Sequence, residues 1–184
     1  MAILIDTNVL LRSLYPEHPH CSAAESAIAT LRLRGEVLCV APQNLIEFWA
    51  VATRSRDDNG LGMSPATAAR EIATLRRFFR LLPSTPEVLE VWQGMVEAFG
   101  VSGKQTHDAH LVAAMQVYSV PSILTFNTGH FKRFPGIADL TRLKSNNSSS
   151  VPPTRNRRQK PGARLRCSPV SGSAAMIPVE LPRR

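Results

Sequence analysis

The sequence predicts an α/β protein with a mainly parallel central sheet and helices on both faces. Short apolar runs such as Ala2–Ile5 and Val37–Val40 alternate along the chain with longer segments that have helical spacing. Strands that are separated by helices form parallel sheets that are covered on both faces. At 184 residues the chain is long enough for one well-packed domain rather than two.

In the first half of the chain, each short apolar run leads into a helical segment. The run Ala2–Ile5 precedes a short helix that extends to Leu14, and a second helix begins at the candidate cap Ser22 and continues to residue 34. A second strand at Val37–Val40 is followed by a helix that Pro42 opens, in the first turn, where proline is tolerated. These segments predict two strands and three helices.

The second half of the chain continues the alternation. Ser64 and Pro65 are a strong start signal for the next helix, because serine caps and proline suits the first helical position. A short strand is predicted at residues 80–82, and the next helix, TPEVLEVWQGMVEAF, ends at Gly100. The apolar segment THDAHLVAAMQVYSV predicts a last helix, and SILTFN predicts the closing strand of the sheet.

The net charge of +8 is concentrated in the C-terminal part of the chain. Residues 1–144 hold 14 Lys and Arg against 13 Asp and Glu, whereas residues 145–184 hold eight against one. The second segment is rich in Ser, Asn, Pro and Arg and has no periodic apolar pattern, which predicts a disordered basic tail. We therefore expect a folded domain over residues 1–144. The tail is either a non-specific contact for phosphate backbones or an incidental solvated extension.

Several functional classes are excluded by composition. No apolar run approaches the roughly 20 residues that a membrane-spanning helix needs, and the N-terminus lacks the pattern of a secretory signal. The three cysteines lack CxxC spacing, so neither a disulfide framework nor a zinc site is predicted, and we expect a cytoplasmic protein. The segment GVSGKQ is not a phosphate-binding loop, because Ala98 and Gln105 replace the residues that the pattern requires.

Polar side chains stand at the predicted carboxyl ends of the strands, where open parallel sheets bind ligands. Asp6 follows the first strand, Asn127 follows the last, and Asp108 lies in the first turn of an apolar helix. Glu47 is the only charge in the segment IEFWAVAT. Taken singly, Asp6 could cap a helix, Asp108 could stabilise a helix terminus, and Glu47 could lie on a polar face with Gln43 and Arg54. Taken together, three neighbouring carboxylates would repel one another without a cation, and Mg²⁺ or Mn²⁺ prefers such oxygen ligands.

Four motifs in order extend this interpretation. The segments ILIDTNVLL, LIEFWAVATR, HDAHLVAAM and ILTFNTGHFKRFPGI together resemble the PIN-domain family, especially the VapC-like ribonuclease toxins of bacterial toxin–antitoxin pairs. The resemblance covers about residues 2–138. It implies a three-layer α/β/α sandwich around a parallel sheet, with an acidic pocket that binds a divalent metal ion.

The resemblance also implies roles for individual residues. Asp6, Glu47 and Asp108 match the three core acidic positions of the family, as catalytic residues and as ligands of Mg²⁺ or Mn²⁺. Relatives often have an aspartate at a fourth position within TFNTGHF, where this chain offers Asn127 and His130. Asn127 is thus a possible fourth ligand, through its amide oxygen.

Neighbouring polar residues would orient these carboxylates. Such roles fall to Thr7, Asn8 and Thr125. Basic residues that could contact RNA phosphates, or could equally belong to an ordinary charged face, are Arg76, Arg77, Lys132 and Arg133.

The resemblance implies metal-dependent hydrolysis of RNA to 3′-hydroxyl and 5′-phosphate ends. It also implies a small antitoxin partner and a possible homodimer. Two alternatives remain: a PIN-fold module that binds RNA or protein without cutting it, and a nuclease directed at DNA, because a carboxylate pocket alone cannot recognise the 2′-hydroxyl group.

Overall fold

A computed structural model of the protein describes residues 1–139. The strands in this part of the chain are β1 (Ala2–Ile5), β2 (Val37–Val40), β3 (Arg80–Leu81), β4 (Ser122–Leu124) and β5 (Ala138–Asp139). The helices are α1 (Thr7–Ser13), α2 (Cys21–Leu33), α3 (Pro42–Thr53), α4 (Pro65–Phe78), α5 (Pro86–Ala98), α6 (Gln105–Val117) and α7 (Thr128–Phe131). A 3₁₀ turn at Arg56–Asp58 follows α3.

The strands form one parallel sheet in the order β3-β2-β1-β4-β5. The predicted α/β fold with a parallel sheet is therefore confirmed. The strand order reverses at β1, because β2 lies on one side of it and β4 on the other. Such a switch point opens a crevice beyond the carboxyl ends of the two strands, here after Ile5 and Leu124.

Helices cover both faces of the sheet, as the predicted three-layer architecture requires. Ile3 and Ile5 pack into a hydrophobic cluster with residues of α1, α2, α3 and α4. Leu4, which points to the opposite face, packs into a second cluster with residues of α5, α6 and α7. Because successive side chains of a strand point to opposite faces, an uninterrupted apolar run is what a strand buried on both faces needs.

The predicted helix start at Pro42 and the cap predicted for α4 are confirmed, whereas the cap predicted for α2 is wrong. Ser64 caps α4 as predicted, since its hydroxyl accepts a hydrogen bond from the backbone N–H of Thr67 at 3.2 Å. The predicted Ser22 cap is wrong, because α2 begins at Cys21 and its N-cap residue is His20. The preceding chain already turns there, with the Cys21 N–H bonded to the His18 carbonyl at 2.9 Å, so the turn runs directly into the helix.

The strand β4, which the sequence predicts as the last of the sheet, pairs with one more strand. After β4 the chain forms the one-turn helix α7 and then β5, which pairs with β4 in parallel. A strand of two residues and a helix of four are too short to show a hydrophobic period, and neither was predicted. The structure confirms the other short strand, predicted at residues 80–82, as Arg80–Leu81.

Two further predictions concern the C-terminal tail and membrane-spanning helices. The boundary at residue 144 and the basic tail over residues 145–184 lie outside the described residues. Within residues 1–139, no helix combines the length and the apolar character that crossing a membrane would demand.

Candidate active site

Asp6 lies at the carboxyl end of β1, in the crevice between β1 and β4. Its backbone N–H donates to the carbonyl of Leu124 at 3.0 Å, which joins the two strand ends. Its side chain is only 8% exposed and accepts hydrogen bonds from the Thr125 hydroxyl at 2.5 Å and the Asn8 side-chain amide at 2.6 Å. The carboxylate also caps α1 through the Asn8 backbone N–H at 3.4 Å. One side chain therefore caps α1 and also accepts hydrogen bonds from the polar residues at the strand ends.

Glu47 reaches the same region from α3. Its Oε2 accepts a hydrogen bond from the hydroxyl of Thr7, the residue after Asp6, at 2.8 Å. Its Oε1 accepts from the side-chain amide of Gln43 at 2.8 Å, one helical turn earlier. The Glu47 side chain keeps 31% of its surface exposed. The helix thus presents a partly solvated carboxylate beside the end of β1.

Asp108 enters the site from the first turn of α6. Its Oδ2 lies 3.2 Å from Nδ1 of His130, and 20% of its side chain is exposed. The side chain of Gln43 donates to the carbonyl of the preceding residue, His107, at 3.1 Å, which joins α3 to the start of α6. The ring of His107 lies 3.7 Å from Oε1 of Glu47. The three carboxylates, which come from three separate segments of the chain, therefore surround one sheet edge.

Two carboxyl groups of the site, those of Asp6 and Asp108, have a raised pKa. The pKa of Asp6 is raised from 3.8 to about 6, chiefly by burial. Hydrogen bonds from Thr125 and the Asn8 backbone oppose this rise, and the nearby Asp108 and Glu47 add to it. Burial also raises the pKa of Asp108, which His130 lowers and Glu47 raises. Keeping all three groups ionised is unfavourable without a compensating positive charge.

Comparison with protein families matches residues 3–137 to the PIN domain. The chain belongs to the PIN domain family. The match includes all three carboxylates and confirms the resemblance that the four motifs indicated. A search of curated proteins found no match to this chain.

Solved structures similar to this PIN domain include several toxin–antitoxin proteins. A chain of VapBC2 from Rickettsia felis, solved with a promoter DNA fragment, has a TM-score of 0.57 at 13% identity and covers 76% of this chain and 97% of its own. The sarcin-ricin loop cleaving toxin VapC20 of Mycobacterium tuberculosis has a TM-score of 0.54 at 16% identity, with coverage of 71% and 93%. A toxin–antitoxin complex from Klebsiella pneumoniae has a TM-score of 0.52 at 18% identity, with coverage of 74% and 95%. At these identities the similarity shows a shared fold.

The donor chemistry of this PIN domain suits a hard divalent cation. Carboxylate oxygens are the ligands that Mg²⁺ and Mn²⁺ prefer, and the mutual repulsion of the three groups would be relieved by such an ion. Within residues 1–139, however, no three His, Cys, Asp or Glu side chains are close enough to hold an ion together. Each carboxylate instead faces protein groups, with Asp6 on Thr125, Glu47 on Thr7 and Asp108 on His130. Ion binding would replace some of these contacts.

The segment TFNTGHF, in which the resemblance predicts a fourth ligand, contains no carboxylate. Of the two candidates, His130 contacts Asp108 directly. The backbone N–H of Asn127 donates to the hydroxyl of Thr125 at 2.9 Å, so this residue supports the group that holds Asp6. Both candidates thus lie beside the site, and an imidazole occupies the place next to Asp108.

The predicted RNA-contacting residues lie apart from these contacts. Arg76 and Arg77 are exposed in the last turn of α4, and Lys132 and Arg133 are exposed after α7. Among the described residues, none of the four forms an ion pair or hydrogen bond with the carboxylates of the PIN domain. Their role in RNA binding stays a prediction.

Sequence reasoning missed Asn44, a fully buried amide at the start of α3. Its Oδ1 accepts from the backbone N–H of Ala41 at 2.8 Å, and its Nδ2 donates to the hydroxyl of Thr7 at 3.1 Å. Thr7 in turn donates to Glu47, so Asn44 supports one of the carboxylates through an intermediate hydroxyl. The available signal was its position three residues after the cap residue, where a polar side chain reaches back to the helix start.

The raised pKa of Asp6 predicts a pH dependence of stability in the metal-free protein. Because the pKa of about 6 in the folded state exceeds the ordinary value of 3.8, the stability that Asp6 contributes is full below pH 4 and is lost as the pH rises through 6. The Asp6→Asn variant should not show this loss of stability, because an amide does not titrate. We expect the unfolding free energy of Asp6→Asn, relative to the wild type, to increase by about 1 kcal/mol between pH 5 and pH 8.

Urea unfolding in EDTA at several pH values would measure this difference. Asp58→Asn, which removes an exposed carboxylate in the 3₁₀ turn, is the matched control. A relative stability of Asp6→Asn that stays constant from pH 5 to pH 8 would contradict the prediction.

Proposed function

We propose that this PIN domain is a Mg²⁺- or Mn²⁺-dependent endoribonuclease and the toxin of a VapBC-like toxin–antitoxin pair. The observation that carries the proposal is the position of Asp6, Glu47 and Asp108 near the switch point of the sheet, where Asp108 and Glu47 raise the pKa of Asp6 and Glu47 raises the pKa of Asp108. Three carboxylates that a cation would stabilise suit metal-assisted hydrolysis of a phosphodiester.

The roles of the three residues follow from their surroundings. Asp6 and Asp108 would hold the ion, and the hydrogen bonds from Thr125 and Asn8 keep Asp6 in one orientation. When bound, a divalent ion supplies positive charge that offsets the negative charge of the phosphoryl transition state. Glu47, whose side chain is the most exposed of the three, would ligate the ion directly or through water and accept the proton of the attacking water. Hydrolysis would leave 3′-hydroxyl and 5′-phosphate ends.

The toxin role is supported by the family and by the structures that share the fold. The VapBC2 and Klebsiella structures are toxin–antitoxin assemblies, and VapC20 is described as a toxin that cleaves the sarcin-ricin loop. For this chain we propose a small antitoxin partner, a possible homodimer and action on RNA in the cytoplasm. An overlapping small reading frame upstream of the gene would support the pairing.

Cleavage of RNA is the direct test. Purified full-length protein would be incubated with total cellular RNA in Mg²⁺, Mn²⁺ or EDTA, and the new ends would be mapped. We expect discrete cuts in Mg²⁺ or Mn²⁺ and none in EDTA, because the carboxylates cannot act without a cation. Cleavage that persists in EDTA, or its absence in every condition, would overturn the proposal.

A PIN-fold module that binds RNA or protein without cutting is a second candidate. It is favoured by the contact of Asp108 with His130 and by the lack of a converged three-residue ligand set within residues 1–139. Metal titration with a thermal-shift readout separates the two. For the enzyme we expect a rise in melting temperature of about 3–6 °C at a Mg²⁺ concentration ten times Kd, because binding adds about 1.4 kcal/mol of stability. An unchanged melting temperature would favour the binding module.

A further inference from the structure

A cleft lies beside the acidic site and belongs to none of the roles described above. It has a volume of about 430 Å³ and lies between α1 with the segment that follows it and the end of α3 with the turn after it. Asn8 lines the cleft, and its side-chain amide donates to Oδ2 of Asp6 at 2.6 Å. The cleft and the acidic site therefore share a wall.

Two guanidinium groups give this cleft its charge. Arg12 and Arg56 line it, and no carboxylate does so among the described residues. We call it the Arg12–Arg56 cleft. Arg56 has one weak ion pair, with Glu17 at 3.8 Å, in which both side chains are about two-thirds exposed or more, and such pairs contribute little.

The Arg12 side chain is held by an aromatic ring, and one of its N–H groups has no hydrogen-bond acceptor within residues 1–139. Its guanidinium stacks over the ring of Phe126, 4.2 Å from the ring centroid. Its Nη1 is buried and has no hydrogen-bond acceptor within residues 1–139. A guanidinium group satisfies its donors best on a planar anion such as a phosphate or carboxylate. The fixed position of this guanidinium group in the lining of the cleft indicates a site for an anion.

Aromatic groups complete the lining. The rings of Tyr15 and His18 both line the cleft, with centroids 6.2 Å apart and planes inclined by 51°. Nucleobases stack on such rings with little dependence on sequence. Cationic groups next to aromatic rings are the combination that binds single-stranded nucleic acid, in which phosphate and base alternate.

The wall of the cleft opposite α1 is formed by the closely packed turn that follows α3. Gly60 lines the cleft, and a Cβ atom at this position would overlap the carbonyl of Arg54. Asn59 adopts a left-handed conformation with φ of 60° just before it. The turn that carries Arg56 is thus packed closely against the end of α3, which fixes its backbone.

We propose that the Arg12–Arg56 cleft binds the nucleotide next to the scissile phosphate of a single-stranded RNA. The phosphate group of that nucleotide contacts Arg12 and Arg56, and its base stacks on Tyr15 or His18. This subsite rests on the proposed nuclease function, since it places the neighbouring phosphate beside Asp6. The cationic groups of the cleft match the phosphates of the RNA, and its aromatic rings match the bases.

Binding of a labelled RNA tests the subsite without cleavage. Fluorescence anisotropy would measure the affinity of the full chain in EDTA for a fluorescein-labelled ten-nucleotide oligouridylate, at several salt concentrations. We expect Arg12→Gln/Arg56→Gln to weaken binding at least about 10-fold and to reduce the slope of log K against log salt by about 1 to 2, as expected when up to two phosphate contacts are lost. The control Arg34→Gln/Arg70→Gln removes the same charge from exposed positions outside the cleft and should change affinity less than about 2-fold.

Two further measurements, the melting temperature of a single variant and RNA cleavage by the wild type, distinguish a binding defect from a folding defect and test the two proposals separately. Arg56→Gln alone changes an exposed side chain, so it should weaken binding about 3-fold with an unchanged melting temperature. Equal affinities of the cleft variant and the charge control would overturn the subsite. If the wild type still cleaved RNA in Mg²⁺ in that case, the nuclease proposal would stand. A wild type that neither binds nor cleaves RNA would overturn both.

Discussion

Asp6→Asn is expected to lower the rate of metal-dependent RNA cleavage by at least about 100-fold. The substitution keeps the size of the side chain and an oxygen that can accept from Thr125, but it removes the negative charge on which a cation would depend. Because the carboxylate is buried with a raised pKa, its loss should not weaken the fold at neutral pH. Lost cleavage could therefore be attributed to chemistry.

The measurement is the initial rate on an RNA that the wild type cuts, with Mg²⁺ in excess. Asp58→Asn again serves as the control, because its side chain is exposed in the 3₁₀ turn, and it should cleave at the wild-type rate. Asp108→Asn and Glu47→Gln should each also reduce the rate. An Asp6→Asn variant as fast as the wild type would remove Asp6 from the active site.

Asn44→Ala is expected to lower the free energy of unfolding by about 2–3 kcal/mol. The amide is fully buried, and its removal leaves the Ala41 N–H without its acceptor and the Thr7 hydroxyl without a donor. Unsatisfied buried polar groups are costly because water cannot reach them. The freed Thr7 would also hold Glu47 less firmly, so we expect weaker Mg²⁺ binding, by about 10-fold.

Urea unfolding and Mg²⁺ titration measure the two effects. For unfolding the control is Gln43→Ala, which deletes a similar amide from the neighbouring, only half-buried position and should cost less than about 1 kcal/mol. Equal losses of unfolding free energy in Asn44→Ala and Gln43→Ala would show that burial does not strengthen the hydrogen bonds of Asn44.

The sequence predicted four of the five strands found within residues 1–139, most helix boundaries and the positions of the carboxylates relative to them. These features depend on local patterns, such as the apolar run before Asp6 and the Ser64–Pro65 start of α4, which are visible in one short segment. The convergence of Asp6 and Glu47 followed from the topology of parallel sheets, because strand ends and the helices after them meet at one edge.

The contacts that hold the site were harder to foresee. The bond from Asn44 to Thr7 joins residues 37 positions apart, and that from Thr125 to Asp6 joins residues 119 positions apart. No local period marks such pairs, since they exist only once β1, β4 and α3 are assembled. The cleft around Arg12 was missed for the same reason, because its walls come from α1 and from the turn after α3.

The central position of β1 has a consequence for the order in which the protein is made. β1 is the first strand to leave the ribosome, yet one of its two neighbours, β4, is synthesised more than a hundred residues later. Until then β1 has one open edge, and open edges invite pairing with other chains. Thr125 is also absent until that moment, so Asp6 lacks its closest hydrogen-bond donor. A nascent or truncated chain that stops short of β4 therefore has an unfinished pocket and a sheet prone to aggregate.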